Sequence, residues 1–455
     1  MKPIAILGAG IAGLTAVRAL KRRGLPVIVF EAGKSIGGLA SSFRDEDGFS
    51  HDVGAHFVSN RLAGLLGAAD ICQPLKHYGE AVSVQGKSFA YPFGLMRSPR
   101  FSLDAIKERF REREVHTAAD WYRKKFGAAL AEEVAIPLTE AWSGAPAEHL
   151  SPSVGQKFGP RILKSLYLSA AGIATRRAVC NGYSHERPEN AGVYHVYPKG
   201  GVARLLEPTA NEVSREIRLG SPVTGILTEN ERVVAVEIDG KEIEVSAAIS
   251  TAPVHVLPKL VKGTQRLDAL ARFRYRAMIF VNLHLNGRGL LPDTMLWVPD
   301  RSQPFFRLTE TPISVPELAP EGKTTITADI GCQVGDQLWT MPEEALAKLC
   351  LEGLTRIYPQ ARADFIKVGG IVRTPVAYPV YLQEYETMRQ EFSRSTGVAG
   401  LYSVGRNGEF AHILMEDVYW RTLKRMEDVY CYVTGHVPRV QSSLQNPALT
   451  DAVAA

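Results

Sequence analysis

At 455 residues, 45% hydrophobic and 22% charged, the chain has the composition of a folded globular protein with material for two domains or one large one, which excludes a disordered or fibrous class. Its formal net charge of +5 reads as a mild excess spread along the chain, too diffuse for nucleic-acid binding and compatible with an anionic small-molecule substrate. Cysteines at 72, 180, 332, 350 and 431 form no CxxC pair, and the histidines show no HxxxH or HExxH pattern, so no disulfide framework and no metal site is expected.

The first predicted element is an apolar strand, Ile4 to Leu7, followed at once by Gly8, Gly10 and Gly13. A helix-like run, Leu14 to Arg23, leads to a second apolar run, Val27 to Phe30, which ends at Glu31 and Ala32. This is the strand–glycine turn–helix–strand–acid unit that holds a dinucleotide. Gly8 permits the tight turn, Gly10 lets backbone approach a pyrophosphate, and Gly13 lets the helix pack close to the strand. The pyrophosphate belongs on the helix start at Ile11 and Ala12, where free N–H groups favour an anion. Glu31 lies at the spacing of a ribose partner and argues against a 2′-phosphate. Gly37, Gly38 and Leu39 follow, and a second glycine pair lets backbone pass a bulky ligand again. A strand-like alternation then leads into Asp52, Gly54, Ala55 and His56.

Helical spacing is expected over Leu103–Arg113, Ala118–Phe126 and Ala128–Ala135, with Trp142 and Gly144 in a packing segment. The apolar run Ser165–Ala174, flanked by Lys164, Arg176 and Arg177, reads as a buried helix, in preference to a membrane contact. No apolar run approaches the ~20 residues of a membrane span. With a first strand at residue 4 there is no room for a signal peptide, and a cytoplasmic protein is expected. Residues 195–201, HVYPKGG, make a Gly-Gly turn carrying Lys199. Two strands joined by a polar turn span 221–238, with Val223 in the first, and a further apolar run ends at Pro253. Arg272, Arg274 and Arg276 alternate onto one face ahead of a strand, Ala277–Leu285. A strand over Thr324–Ile330 and a helix over Glu343–Ile357 follow. Arg373, Tyr378 and Tyr381 lie in GIVRTPVAYPVYL and suit a carboxylate or phosphate beneath a planar or sugar ring. The strand Leu401–Val404 runs into Gly405 and Arg406, and a helix begins at Met415, Glu416 and Asp417. The last ~20 residues lack periodicity and read as a loose tail.

Taken with the GGLAS, DVGAH and GLYSVGRN segments, the glycine unit resembles the FAD-dependent amine oxidase, protoporphyrinogen oxidase and phytoene desaturase group, which includes the UDP-galactopyranose mutases. The resemblance implies an α/β fold: a discontinuous Rossmann-like FAD-binding domain (1–75, 193–255 and 396–430), a helical cap insertion (76–192), a mixed sheet-plus-helix substrate domain (256–395) and a tail (431–455). It implies non-covalent FAD, with the ADP half on Gly8, Gly10, Ile11, Ala12, Gly13, Glu31 and Ala32, and with Val223 meeting the adenine through backbone groups. Gly37, Gly38 and Leu39 would pass the phosphates and ribityl chain, and Gly54, Ala55 and His56 would run near the isoalloxazine. Gly405, Arg406 and the helix start at Met415, Glu416 and Asp417 would face the flavin N1 and O2 edge. His56, Arg373, Tyr378 and Tyr381 are the candidates for chemistry. The activity implied is oxidation of a C–N or C–C bond of a small molecule by hydride transfer to FAD. The alternative is a mutase-like, non-redox flavoenzyme acting on a nucleotide sugar.

Overall fold

Strands that are apolar on both faces need helices on both sides. The computed structural model, which describes residues 1–91, 94–157 and 162–436, places four such runs in a five-stranded parallel sheet. The order is Ile217–Arg218, Val27–Phe30, Ile4–Leu7, Ala247–Ser250, Leu401–Ser403. Ile4–Leu7 is central and fully buried, with Ile4 opposite Val27 on one side and Ala247 on the other. Helix Ile11–Lys21 covers the sheet and packs against the long helix Met415–Thr434. Because the strands are parallel, their carboxyl ends share one edge. The glycine turn, Glu31, Thr251 and Gly405 therefore meet there although they are far apart in sequence.

A four-stranded sheet carries Val223–Glu229 and Arg232–Ile238 as a hairpin, turned at Asn230 and Glu231 with φ of 49° and 58°. The largest sheet has seven strands, in the order Phe365–Pro379, Tyr275–Asn286, Lys323–Cys332, Arg307–Thr309, Met295–Trp297, Glu80–Val84, Lys87–Ala90. Helix Glu343–Ile357, with the expected bounds, covers one face through Leu346, Cys350 and Leu354. The last two strands correct the expected cap boundary, since residues 80–90 lie inside the stretch 76–192. They form a hairpin turned at Gln85 and Gly86 (φ 50° and 75°), and Glu80–Val84 extends the sheet by pairing with Met295–Trp297.

In the cap, Ala118–Phe126 is helical as expected, held by a Thr117–Asp120 capping box. The preceding helix spans Pro99–Arg109, started by Pro99, so it sits a few residues ahead of the expected stretch. Helix Ile162–Thr175 is not buried: Leu163 and Ile173 are 80% and 82% exposed. The carboxy-terminal helix passes the expected boundary at 430 and ends at Gly435, in the left-handed region at φ 71°. Residues 437–455, most of the expected tail, lie outside the described residues.

Candidate active site

At the nucleotide end, the first helix begins at Gly10 with no side-chain cap and no acid in its first turn. The N–H groups of Ile11, Ala12 and Gly13 thus face an uncapped helix start, where an anion is favoured. Gly13 is dictated by the fold, because a Cβ there would stand 1.9 Å from the Gly8 carbonyl oxygen. Gly10 differs, since its Cβ would meet only the Gly37 oxygen, at 3.8 Å. The space over Gly10 is left for something other than protein. Gly37, at φ 113°, donates its N–H to the Ala9 carbonyl at 3.0 Å, which lays the second glycine pair against the first turn. Glu31 accepts from the N–H groups of Ala9 and Gly33, each at 2.7 Å, and so braces the turn. The Ser221 N–H reaches the Glu31 carbonyl at 2.8 Å, bringing Val223, two residues on, alongside. Ala32 and Leu39 lie exposed on the rim. Gly405 closes the group from the carboxy-terminal side, where a Cβ would come within 2.8 Å of the Ala12 Cβ.

At the other end, Gly54 (φ 74°) carries the chain past Phe280 to Ala55 and His56. Asp52 anchors this segment, accepting from Ser42 Oγ at 2.6 Å and Tyr197 OH at 2.7 Å. Burial holds His56 below its ordinary range; Asp52 opposes that, and Arg406 and Arg307 reinforce it. His56 is therefore neutral, and its Nδ1 is buried with no hydrogen-bond partner among the described residues. The Arg406 guanidinium donates to the carbonyls of Ala377 (3.0 Å) and Ile413 (3.3 Å) and lies over the Tyr378 ring at 4.8 Å. Tyr378 meets Trp142 at 5.5 Å and His412 at 4.8 Å, ring centre to ring centre. Tyr381 OH accepts from the His412 N–H at 2.8 Å. Tyr378, Tyr381 and Arg406 thus gather with Trp142 and His412 into one wall.

Arg373 does not join them. Its guanidinium donates to Glu343 at 3.2 Å and the Met341 carbonyl at 2.8 Å, on the helix-covered face of the large sheet. Arg373 lies opposite Ile279 and Tyr378 opposite Arg276, three residues apart on the neighbouring strand, so across the irregular register between them they fall on opposite faces. The carboxylates of Glu416 and Asp417 are likewise engaged by other parts of the chain. Glu416 is taken up by Ser59 and Arg61, and Asp417 accepts from Ser184 Oγ at 2.6 Å and the His185 N–H at 3.0 Å. The helix start at Met415 itself has no side-chain cap, which leaves its first N–H groups to act as donors. Lys199 is exposed on its turn. Arg272, Arg274 and Arg276 do not share a face: Arg272 and Arg274 are exposed, while Arg276 is half-buried beneath Gly144 and Gly331.

One site residue was missed by sequence reasoning. Arg307 lies opposite Asp329 in the large sheet and pairs with it; the two side chains are 11% and 0% exposed. Burial raises the carboxyl of Asp329 while Arg307 opposes it. The guanidinium also stacks on Trp297 at 5.3 Å, and its Nε has no partner among the described residues. Trp297 Nε1 donates to Glu80 at 2.7 Å, Tyr78 OH donates to Glu80 at 2.6 Å, and Tyr183 OH donates to Tyr78 at 2.9 Å. His195 packs on both tyrosines and is pushed down to about 3 by burial. The signal available in the sequence was Asp329, an acid inside the apolar strand TITADIGC.

The chain matches the flavin containing amine oxidoreductase family over residues 11–419. It belongs to that family. FAD is accordingly its cofactor, and the room over Gly10, the uncapped helix start and the partnerless His56 Nδ1 fit that group. Amine oxidase [flavin-containing] B from Sus scrofa is 24% identical over 291 residues, 56% of this chain and 52% of that protein. The enzyme of the same name from Cavia porcellus is 24% identical over 292 residues, with the same coverage. The chain thus spans about half the length of the curated relatives it matches. Among solved structures, a reduced UDP-galactopyranose mutase superposes with a TM-score of 0.75 at 18% identity, covering 96% of this chain and 98% of that one. A putative protoporphyrinogen oxidase from Exiguobacterium sp. 255-15 gives 0.71 at 17% identity, with 94% and 98% covered. Putrescine oxidase bound to putrescine gives 0.66 at 15% identity, with 94% and 99% covered. At these identities the likeness is one of fold.

Proposed function

We propose that this family member is an FAD-dependent oxidoreductase that takes a hydride from a C–N or C–C bond of a small molecule carrying an anionic group. The observation that carries this reading is the buried Arg307 Nε, which has no hydrogen-bond partner among the described residues, on a guanidinium close enough to His56 to influence its charge. FAD supplies the hydride acceptor. Gly8 to Gly13, Glu31, Gly37 and Gly38 would hold its ADP half, and Gly54, His56, Gly405 and Arg406 would border its ring. Asp329 keeps Arg307 charged and fixed, leaving Nε for a carboxylate or phosphate. Tyr378, Trp142 and His412 offer an aromatic wall for a planar substrate. Neutral His56 can take a proton or orient the reacting group.

A second reading draws on Arg406. Arg307 and Arg406 both bear on His56, and two guanidiniums beside one site suit the diphosphate of a nucleotide sugar in mutase-type, non-redox chemistry.

One experiment separates the two. The purified protein is offered amines and porphyrinogens in air, and UDP-sugars anaerobically after reduction with dithionite. Peroxide formation with an amine or porphyrinogen supports the oxidase. Interconversion of sugar ring forms without flavin reoxidation supports the mutase. In either case Arg307→Met should raise KM at least about tenfold, and an unchanged KM would remove Arg307 from substrate binding.

A further inference from the structure

Helix Ile162–Thr175 stands out from the cap with its apolar side turned outward. Leu163, Leu166, Tyr167 and Ile173 are 80%, 50%, 58% and 82% exposed, and Ala170 and Ala174 are exposed beside them. At about 100° per residue these positions fall within one arc of about 120°. The opposite side holds the helix to the body. Leu168 and Ser165 are buried, Ser165 Oγ meets Asn181 at 3.4 Å, and Lys164 pairs with buried Glu189 at 2.8 Å. Glu189 in turn accepts from the N–H groups of Tyr183 and Ser184, and Tyr183 belongs to the tyrosine network of the site. The outward face is thus held in place by the body of the protein.

Charge selects what that face meets. Between His149 and His185 the sequence carries Lys157, Arg161, Lys164, Arg176 and Arg177 and no acid. Lys164 is taken up by Glu189, and the exposed charges at the end of the helix are Arg176 and Arg177. Helix Pro99–Arg109 and the residue after it also expose apolar groups: Leu103 is 57%, Ile106 56% and Phe110 84% exposed. There, however, Asp104, Glu108 and Glu112 alternate with Arg100, Lys107, Arg109 and Arg111.

We propose that helix Ile162–Thr175 docks the protein on the surface of an anionic lipid bilayer. Leu163, Leu166, Tyr167 and Ile173 lie at the boundary of headgroups and acyl chains, and Arg176 and Arg177, exposed at the helix end, meet headgroup phosphates. The amphipathic Tyr167 suits that boundary.

The test is co-sedimentation of the full-length, FAD-loaded protein with phosphatidylserine-containing vesicles and with pure phosphatidylcholine vesicles. Binding to the anionic vesicles alone is expected, weakening as salt is raised. The double variant Leu163→Ser/Ile173→Ser should lower binding at least about tenfold, with unchanged FAD content and melting temperature because both side chains are exposed. Leu103→Ser/Ile106→Ser should bind as the wild type does. The proposal is overturned if the wild type ignores anionic vesicles or if the Leu163/Ile173 variant binds them equally well. It is also overturned if that variant instead splits a self-associated species in solution, which would assign the face to a second copy of the chain.

Discussion

The nucleotide end of the site is made of main chain, and the opposite end is made of side chains. At the first, Gly8, Gly13, Gly37 and Gly405 remove Cβ atoms so that strands and a helix start can crowd one edge of a parallel sheet, and Gly10 leaves room over the turn. Glu31 and Glu409 are acidic side chains called upon there, and both brace backbone N–H groups. At the second, Arg307, Asp329, Trp297, Glu80 and Tyr78 pass contacts along several strands, and Arg307 lies close enough to neutral His56 to influence its charge. A main-chain site tolerates side-chain change and fails on bulk. A buried side-chain network fails when one charge loses its partner.

The largest effect is expected at Gly13. A Cβ 1.9 Å from the Gly8 carbonyl cannot be relieved by a rotamer, so Gly13→Val should give insoluble or colourless protein, read from yield and flavin absorbance. A yellow, stable Gly13→Val protein would overturn the steric account of the turn.

Next is Asp329→Asn, which leaves Arg307 buried and uncompensated. A loss of about 3–5 kcal/mol in urea unfolding is expected, with recovery when Arg307→Met is added. If the double variant is no more stable than the single one, the two residues are not a coupled pair.

A smaller effect follows from His195. Burial pushes it from 6.5 to about 3, so the folded state keeps it neutral while the unfolded chain takes up a proton below pH 6.5. Its contribution therefore falls as pH drops through 6.5 and levels off near 3, with a loss of about 2 kcal/mol by pH 5. His195→Phe should flatten this dependence relative to the wild type; parallel curves for the two proteins would rule the histidine out as the cause.

The mildest substitution is Gly10→Ala, where the nearest atom is 3.8 Å from the added carbon. The apoprotein should melt as the wild type does while FAD affinity drops about tenfold. Equal FAD affinity would show that the room over Gly10 is not occupied by cofactor.

Legibility followed the same division. Main-chain geometry is encoded locally, so the glycine unit and the strand runs could be read in order. Helices Ala118–Phe126 and Glu343–Ile357 matched their expected bounds because a cap or an acidic first turn marks their starts. The hairpin at 80–90 was passed over although Gln85-Gly86 is a turn signal, because its role depends on a partner strand more than 200 residues away. Arg373 was grouped with Tyr378 by closeness in sequence, when a period of two separates them. Glu416 and Asp417 looked like cofactor neighbours because they open a helix, yet their carboxylates serve Ser59, Arg61 and Ser184.

By itself the sequence determined where backbone must be bare and where an acid must follow a strand. Those requirements are met within about 30 residues, by the stereochemistry of glycine and the period of strand and helix. Only the tertiary structure decided that Arg307 meets Asp329 and that the outer side of helix Ile162–Thr175 has no described residue over it. Burial and pairing of side chains depend on which distant strands become neighbours, and no local pattern carries that information.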